Sequence, residues 1–316
     1  MKPETEQFKP ALLAEVWRGD IRESEHRASF AVVNESGELL YHSGDPDSVT
    51  SLRSAAKPLQ AIPLITLPGS PANELRDEEL AICCASHPGL PRHAALAASV
   101  LALSGFLPDD LVCGPSGNPP SPLRHGCSGN HACLLLIAHS LGASLSGYEK
   151  REHPAQQTIL QTLQDVSAMT NILSGMDGCG IPTFGLKMRD IARTFASLTR
   201  PGAPWERIPR VMAANPELVG DEAWIDVRLM QATNGRLVAK TGADGLLCIG
   251  VPGRGTGMAV KVMDGSTRAL GLFTLAGLQE AGWITDAELD SPLLAPFRNP
   301  TILASTGEVA AHIRLA

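Results

Sequence analysis

Arg53-Ser54-Ala55-Ala56-Lys57-Pro58 puts a hydroxyl and an amine three residues apart. Side chains at that spacing meet on one face when the intervening turn is helical. Such a pair suits acyl transfer. A serine hydroxyl is a weak nucleophile at neutral pH, and a lysine amine kept uncharged by burial or by a neighbouring cation can take its proton. The plainer reading is an N-cap serine followed by a surface lysine, since S-x-x-K also arises by chance. Pro58 sets the helix start at or near Ser54, because proline is best tolerated in a first turn.

Lys240-Thr241-Gly242 ends a predicted strand. Enzymes that acylate a serine through S-x-x-K carry K-T-G on a strand flanking the site, where the lysine supplies charge and substrate lies along the strand edge. An exposed strand end is the alternative. Ser86 and His87 close Cys83-Cys84-Ala85-Ser86-His87, as donors to a bound substrate, as a second hydroxyl site, or as a polar pair capping the helix end. His125-Gly126-Cys127-Ser128-Gly129-Asn130-His131 opens an apolar helix whose free amides can hold an anion such as a substrate carboxylate. The turn from Met176 to Thr183 projects Asp177 and Cys179, and Lys261 sits in the alternating strand Met258–Met263, where an inward lysine needs a partner and an outward one is ordinary. Without C-x-x-C or H-E-x-x-H, spacing gives no metal site, and Cys127 and Cys179 each read as small buried residues.

The elements that must position these groups follow from pattern. Leu12–Trp17, Ser29–Asn34 and Glu38–His42 read as strands, then helices dominate from Ser54 to Ala214. Three short β-rich runs follow at Arg236–Lys240, Leu246–Val251 and Met258–Met263, then a helix over Ser266–Ala281 and a closing strand over Val309–Leu315. The fold class is α+β: one mostly antiparallel sheet built from both chain ends, with packed helices and a helical insertion. With no repeat or linker, residues 1–316 read as a single domain. A net charge of −7 and 13 aromatic residues (4 Trp, 2 Tyr, 7 Phe) argue against nucleic acid or an anionic membrane as partner. The longest apolar run, from Ala132 to Ala138, is far short of a bilayer span. The polar start MKPETEQFKP lacks a secretory pattern, and seven unpatterned cysteines favour reduced thiols, so the expected location is the cytoplasm.

Taken together and in order, R-S-A-A-K-P (Arg53–Pro58), C-A-S-H (Cys84–His87), C-S-G-x-H (Cys127–His131), D-G-C-x-x-P-T (Asp177–Thr183), K-x-G-A-D (Lys240–Asp244) and V-K-V-x-D-G (Val260–Gly265) make the chain resemble the class 3, rhizobial-type L-asparaginases. These are relatives of serine β-lactamases, penicillin-binding proteins and serine-dependent glutaminases. The resemblance covers almost the whole chain. It implies a serine β-lactamase-like fold and a homodimer without organic cofactor that hydrolyses L-asparagine, with L-glutamine second. It implies two serine–lysine pairs, Ser54 with Lys57 and Ser86 with Lys261. His87 and Lys240 are expected at the substrate, with Arg53 for its α-carboxylate and Asp177 for its α-ammonium. It also implies a zinc held by Cys127, Cys179 and a lysine, but the lysine position is Asn130 here, and an amide oxygen is a weak zinc ligand. Two thiolates with waters, His131 as a substitute, or an empty site stay open. A second departure follows Cys113, where Pro115-Ser116-Gly117-Asn118 stands in place of a histidine. A different hydrolase of the same fold and a degenerate amino-acid-binding protein are the competing readings.

Overall fold

The structure, a computed structural model, describes residues 11–316; the polar start MKPETEQFKP lies outside the described residues. Among the described residues eleven strands form two sheets. They are β1 (Leu12–Arg18), β2 (Ile21–Asn34), β3 (Leu39–Ser43), β4 (Val49–Ser51), β5 (Leu173–Met176), β6 (Pro182–Lys187), β7 (Val238–Gly242), β8 (Leu246–Val251), β9 (Thr256–Val262), β10 (Thr301–Leu303) and β11 (Val309–Leu315). The large sheet runs β10-β11-β1-β2-β9-β8-β7, with β3 also on β2, and all its strand pairs are antiparallel. Both chain ends contribute to it, as the pattern of strands predicts. The small sheet, β4-β6-β5, was not legible in the sequence.

Helices cover both faces of the large sheet, so its central strands lose the alternation of a half-wet sheet. All six residues of β8 are buried, as are Ala28–Val33 of β2. The Met188–Leu198 helix lies so close that a Cβ on Gly257 would come within 2.0 Å of Ala192 O, and one on Gly250 within 2.8 Å of Phe195 O. Against the sheet's Phe30 and Met258 stands Gly277 of the Leu270–Glu280 helix. The insertion is built on the Ser128–Ser140 helix, buried from Ser128 through Ala138. A helix that is apolar all round belongs in a core. Among the described residues no helix is long and apolar enough to cross a membrane.

Candidate active site

Ser54 belongs to a 3-10 turn, Arg53–Ala56, that runs straight into the Lys57–Gln60 helix. Arg53 enters that turn at φ +46°, a left-handed conformation that costs an arginine about 1–2 kcal/mol. Its amide donates to Thr183 Oγ1 at 3.2 Å and Ser51 Oγ at 3.4 Å, which ties the turn to the small sheet. The Arg53 guanidinium donates from Nε to Asp177 Oδ1 at 3.1 Å and from a terminal nitrogen to the Asp244 carboxylate. Asp177 is fixed by the hairpin turn between β5 and β6, where its amide donates to Ile181 O at 2.8 Å. Thus Arg53 and Asp177, expected to take opposite ends of an amino acid, hold each other.

One helical turn after Ser54, Lys57 is buried. Its Nζ donates to Ala85 O at 2.7 Å, Ser86 Oγ at 3.0 Å and Cys127 Sγ at 3.2 Å. Lys57 therefore joins the second hydroxyl to the first motif. The Ser54 hydroxyl forms no hydrogen bond with the described residues. It and Ser86 both line a cavity of about 520 Å³, walled by the strand end Thr241–Ala243 and by Trp224, Ile225, Leu270 and Phe297. The apolar wall was missed in the sequence, since those residues carry no motif and meet only through the fold.

The expected pair of Ser86 with Lys261 does not form. Lys261, opposite Ser29 of β2 and Leu246 of β8, turns its Nζ to Asp244 O and Val262 O, both at 2.6 Å. It thus braces the β7–β8 turn whose carboxylate meets Arg53. The lysine that feels the Lys57 charge is Lys240. Its Nζ donates to Thr241 O at 3.1 Å and lies 3.7 Å from Asp226 Oδ2, with both side chains fully buried. Burial lowers its pKa to about 8, the Asp226 carboxylate opposing and the Lys57 charge adding. Walled off in this way, Lys240 cannot touch substrate as expected. Nor can His87. Its Nδ1 accepts from the Gly89 amide at 3.1 Å, so Nε2 carries the proton and donates to Ser128 Oγ at 3.0 Å. Burial, then the charges of His93 and Lys57, hold His87 down at about 3. It is a neutral, fully bonded part of the scaffold.

Cys127 and Cys179 come together from distant motifs. Their thiols interact, and Cys127 is held well below its ordinary range, first by the Cys179 thiol and further by the Lys57 charge. Asn130, at the family's third ligand position, is fully buried and donates to Cys83 O at 3.5 Å. His131 binds Tyr148 through Nδ1 at 2.7 Å, leaving Nε2 without a partner. Among the described residues no group of three or more His, Cys, Asp or Glu side chains is placed to hold a metal ion. Asn130 Oδ1 is buried without a partner, but two thiols and a neutral amide oxygen do not fit a zinc site on their own, and no step below passes through a metal.

Among solved structures the chain is similar to Mglu in its native form, at 15% identity and a TM-score of 0.48, over 84% of this chain and 66% of that one. It is also similar to a β-lactamase from Mycobacterium bovis (15% identity, TM-score 0.45, 80% of this chain and 94% of that one). A third likeness is the octameric penicillin-binding protein homologue from Pyrococcus abyssi (12% identity, TM-score 0.40, 89% and 79%). The chain thus spans about two thirds of the length of the Mglu chain. Curated proteins give no match. The L-asparaginase II family model matches residues 14–315, from the third residue of β1 to the last of β11, which includes every motif assembled around the two serines. On that match the chain belongs to the L-asparaginase II family.

Proposed function

We propose that the protein is a hydrolase of linear amides that converts L-asparagine to L-aspartate and ammonia through a serine acyl-enzyme. The supporting observation is the bond from buried Lys57 Nζ to Ser86 Oγ at 3.0 Å, beside a cavity that both Ser54 and Ser86 line. Ser54 is the attacking hydroxyl, because it alone of the two is unengaged. Its proton passes to Lys57 after that amine has lost to solvent one of the three protons it donates at rest, and Ser86, already bonded to Lys57, returns a proton to the departing nitrogen. Water then cleaves the ester and restores Ser54. Hydrogen bonds of this kind are often long before substrate arrives. In the bound state the substrate α-carboxylate takes the Arg53 guanidinium and the α-ammonium takes Asp177, an exchange of one internal ion pair for two with the ligand.

The direct Lys57–Ser86 bond also favours a second reading, with Ser86 as nucleophile. An ammonia-release assay with asparagine and glutamine on the wild type, Ser54→Ala and Ser86→Ala decides. The expected outcome is release from asparagine above glutamine, lost by at least about a thousandfold in Ser54→Ala. Activity kept in Ser54→Ala and lost in Ser86→Ala exchanges the roles, and a wild type that binds asparagine without releasing ammonia leaves only a binding protein. A homodimer is the expected assembly, read by light scattering.

A further inference from the structure

The cavity that meets the two hydroxyls is far larger and less polar than the proposed substrate needs. At about 520 Å³ it falls among pockets that enclose drug-sized ligands, roughly 300–1,000 Å³. No charged side chain lines it; Arg53, Asp177 and Asp244 meet outside it. Thr241 and Thr267 add two hydroxyls to those of the serines, and the rest of the wall is apolar, with Trp224, Ile225, Leu270 and Phe297 its large side chains. They close on backbone that only glycine permits: a Cβ on Gly271 would stand 2.5 Å from the Phe297 ring, and one on Gly242 would stand 2.6 Å from Leu52 O. Trp224 keeps 41% of its surface exposed at the rim. Free asparagine carries two charges and an unsubstituted amide and releases ammonia. None of those groups gains from the part of the wall made by Trp224, Ile225, Leu270 and Phe297, where polar atoms would lose hydrogen bonds to water.

We infer that the cavity receives an apolar substituent on the amide nitrogen, so that the enzyme also hydrolyses N4-aryl and N4-alkyl asparagines. This rests on the proposed serine amidohydrolase reading. The charged end of the substrate keeps its place at Arg53 and Asp177, because only there does it find opposite charges. The substituent beyond the scissile bond then points into the apolar space. Ser54 Oγ bonds to the carbonyl carbon as its proton goes to Lys57. The C–N bond breaks, the nitrogen takes a proton by way of Ser86 and leaves as a primary amine. Water cleaves the aspartyl ester, giving aspartate and the free hydroxyl. The sum is amide plus water to acid plus amine, and no further reactant is needed.

The test measures aniline release from L-aspartic acid β-anilide beside ammonia release from asparagine, on wild type, Ser54→Ala, Trp224→Ala and Phe297→Ala. Aniline release at a kcat/KM no lower than that for asparagine is expected, and Ser54→Ala should abolish both. Because aniline is also the better leaving group, the cavity's share is read from a ratio. Trp224→Ala and Phe297→Ala should each lower kcat/KM for the anilide relative to asparagine by about tenfold, the effect of uncovering one aromatic contact. Asparagine hydrolysed with anilide a hundredfold slower overturns the inference, as does an anilide-to-asparagine ratio that neither variant moves. If neither substrate is hydrolysed, the amidohydrolase reading itself fails.

Discussion

At the scale of residues, the two lysines separate most clearly. Lys240 is sealed in the core against Asp226, and Lys261 is half-exposed over the β7–β8 turn. Lys240→Met would leave the buried Asp226 carboxylate its hydrogen bonds from Thr241 and Val227 but no countercharge, a loss of about 3–5 kcal/mol for breaking a buried pair from one side. Lys261→Met removes a half-exposed amine's bonds to the Asp244 and Val262 carbonyls, so stability should move by about 0.5 kcal/mol or less. Its effect belongs to binding: with Asp244 loosened from Arg53, KM for asparagine should rise about tenfold while kcat stays within a few-fold. Denaturant melts and steady-state kinetics on both variants read this. A thousandfold fall in kcat for Lys261→Met would return that lysine to the chemistry. The error had a physical origin. Both lysines sit in short β-rich runs, and alternation says which residues share a face without saying what covers that face. His87 misled in the same way, because a C-A-S-H motif shows neither the Gly89 amide nor Ser128 Oγ that take up both ring nitrogens.

At the scale of elements, glycines set how closely helices approach the sheet that carries the site. The Met188–Leu198 helix presses Ala192 O to within 2.0 Å of where a Gly257 Cβ would stand, and backbone cannot step aside as a flexible side chain can. Gly257→Ala should therefore cost about 1–3 kcal/mol or more, seen as a lower urea midpoint with an unchanged m-value. Gly253→Ala, in the neighbouring β8–β9 turn with nothing within 4 Å but φ +79°, is the control for backbone conformation alone. A Gly257→Ala loss no larger than the control's would show that the helix rides further off the sheet. The strands at both chain ends and the helical middle were legible because each shows its apolar pattern over five residues or more. The small sheet was not, because β5 is four residues and β4 three, too short to show a period, although together they hold the turn that carries Arg53 and the hairpin that carries Asp177.

At the scale of the whole molecule, the buried imidazoles tie the fold to pH. Burial lowers His87 to about 3 and His131 to about 4, while an unfolded histidine titrates near 6.5. Folded-state values below the unfolded one mean that the unfolded chain binds more protons as pH falls. The stability these residues contribute is complete above pH about 6.5 and is lost progressively down to the folded values. Each should add a slope of about 1.4 kcal/mol per pH unit between roughly pH 6 and 4.5. The carboxyls that the fold pulls down, such as Glu288 and Asp264, act mainly below that window, since their ordinary values are 4.5 and 3.8. Urea unfolding at several pH values across the window reads the slope. His131→Gln, which keeps a polar partner for Tyr148, should remove one histidine's share of it. A variant as pH-sensitive as the wild type would mean that His131 is already protonated in the folded state, and hence that water reaches the helix that carries Asn130 and His131 beside Cys127.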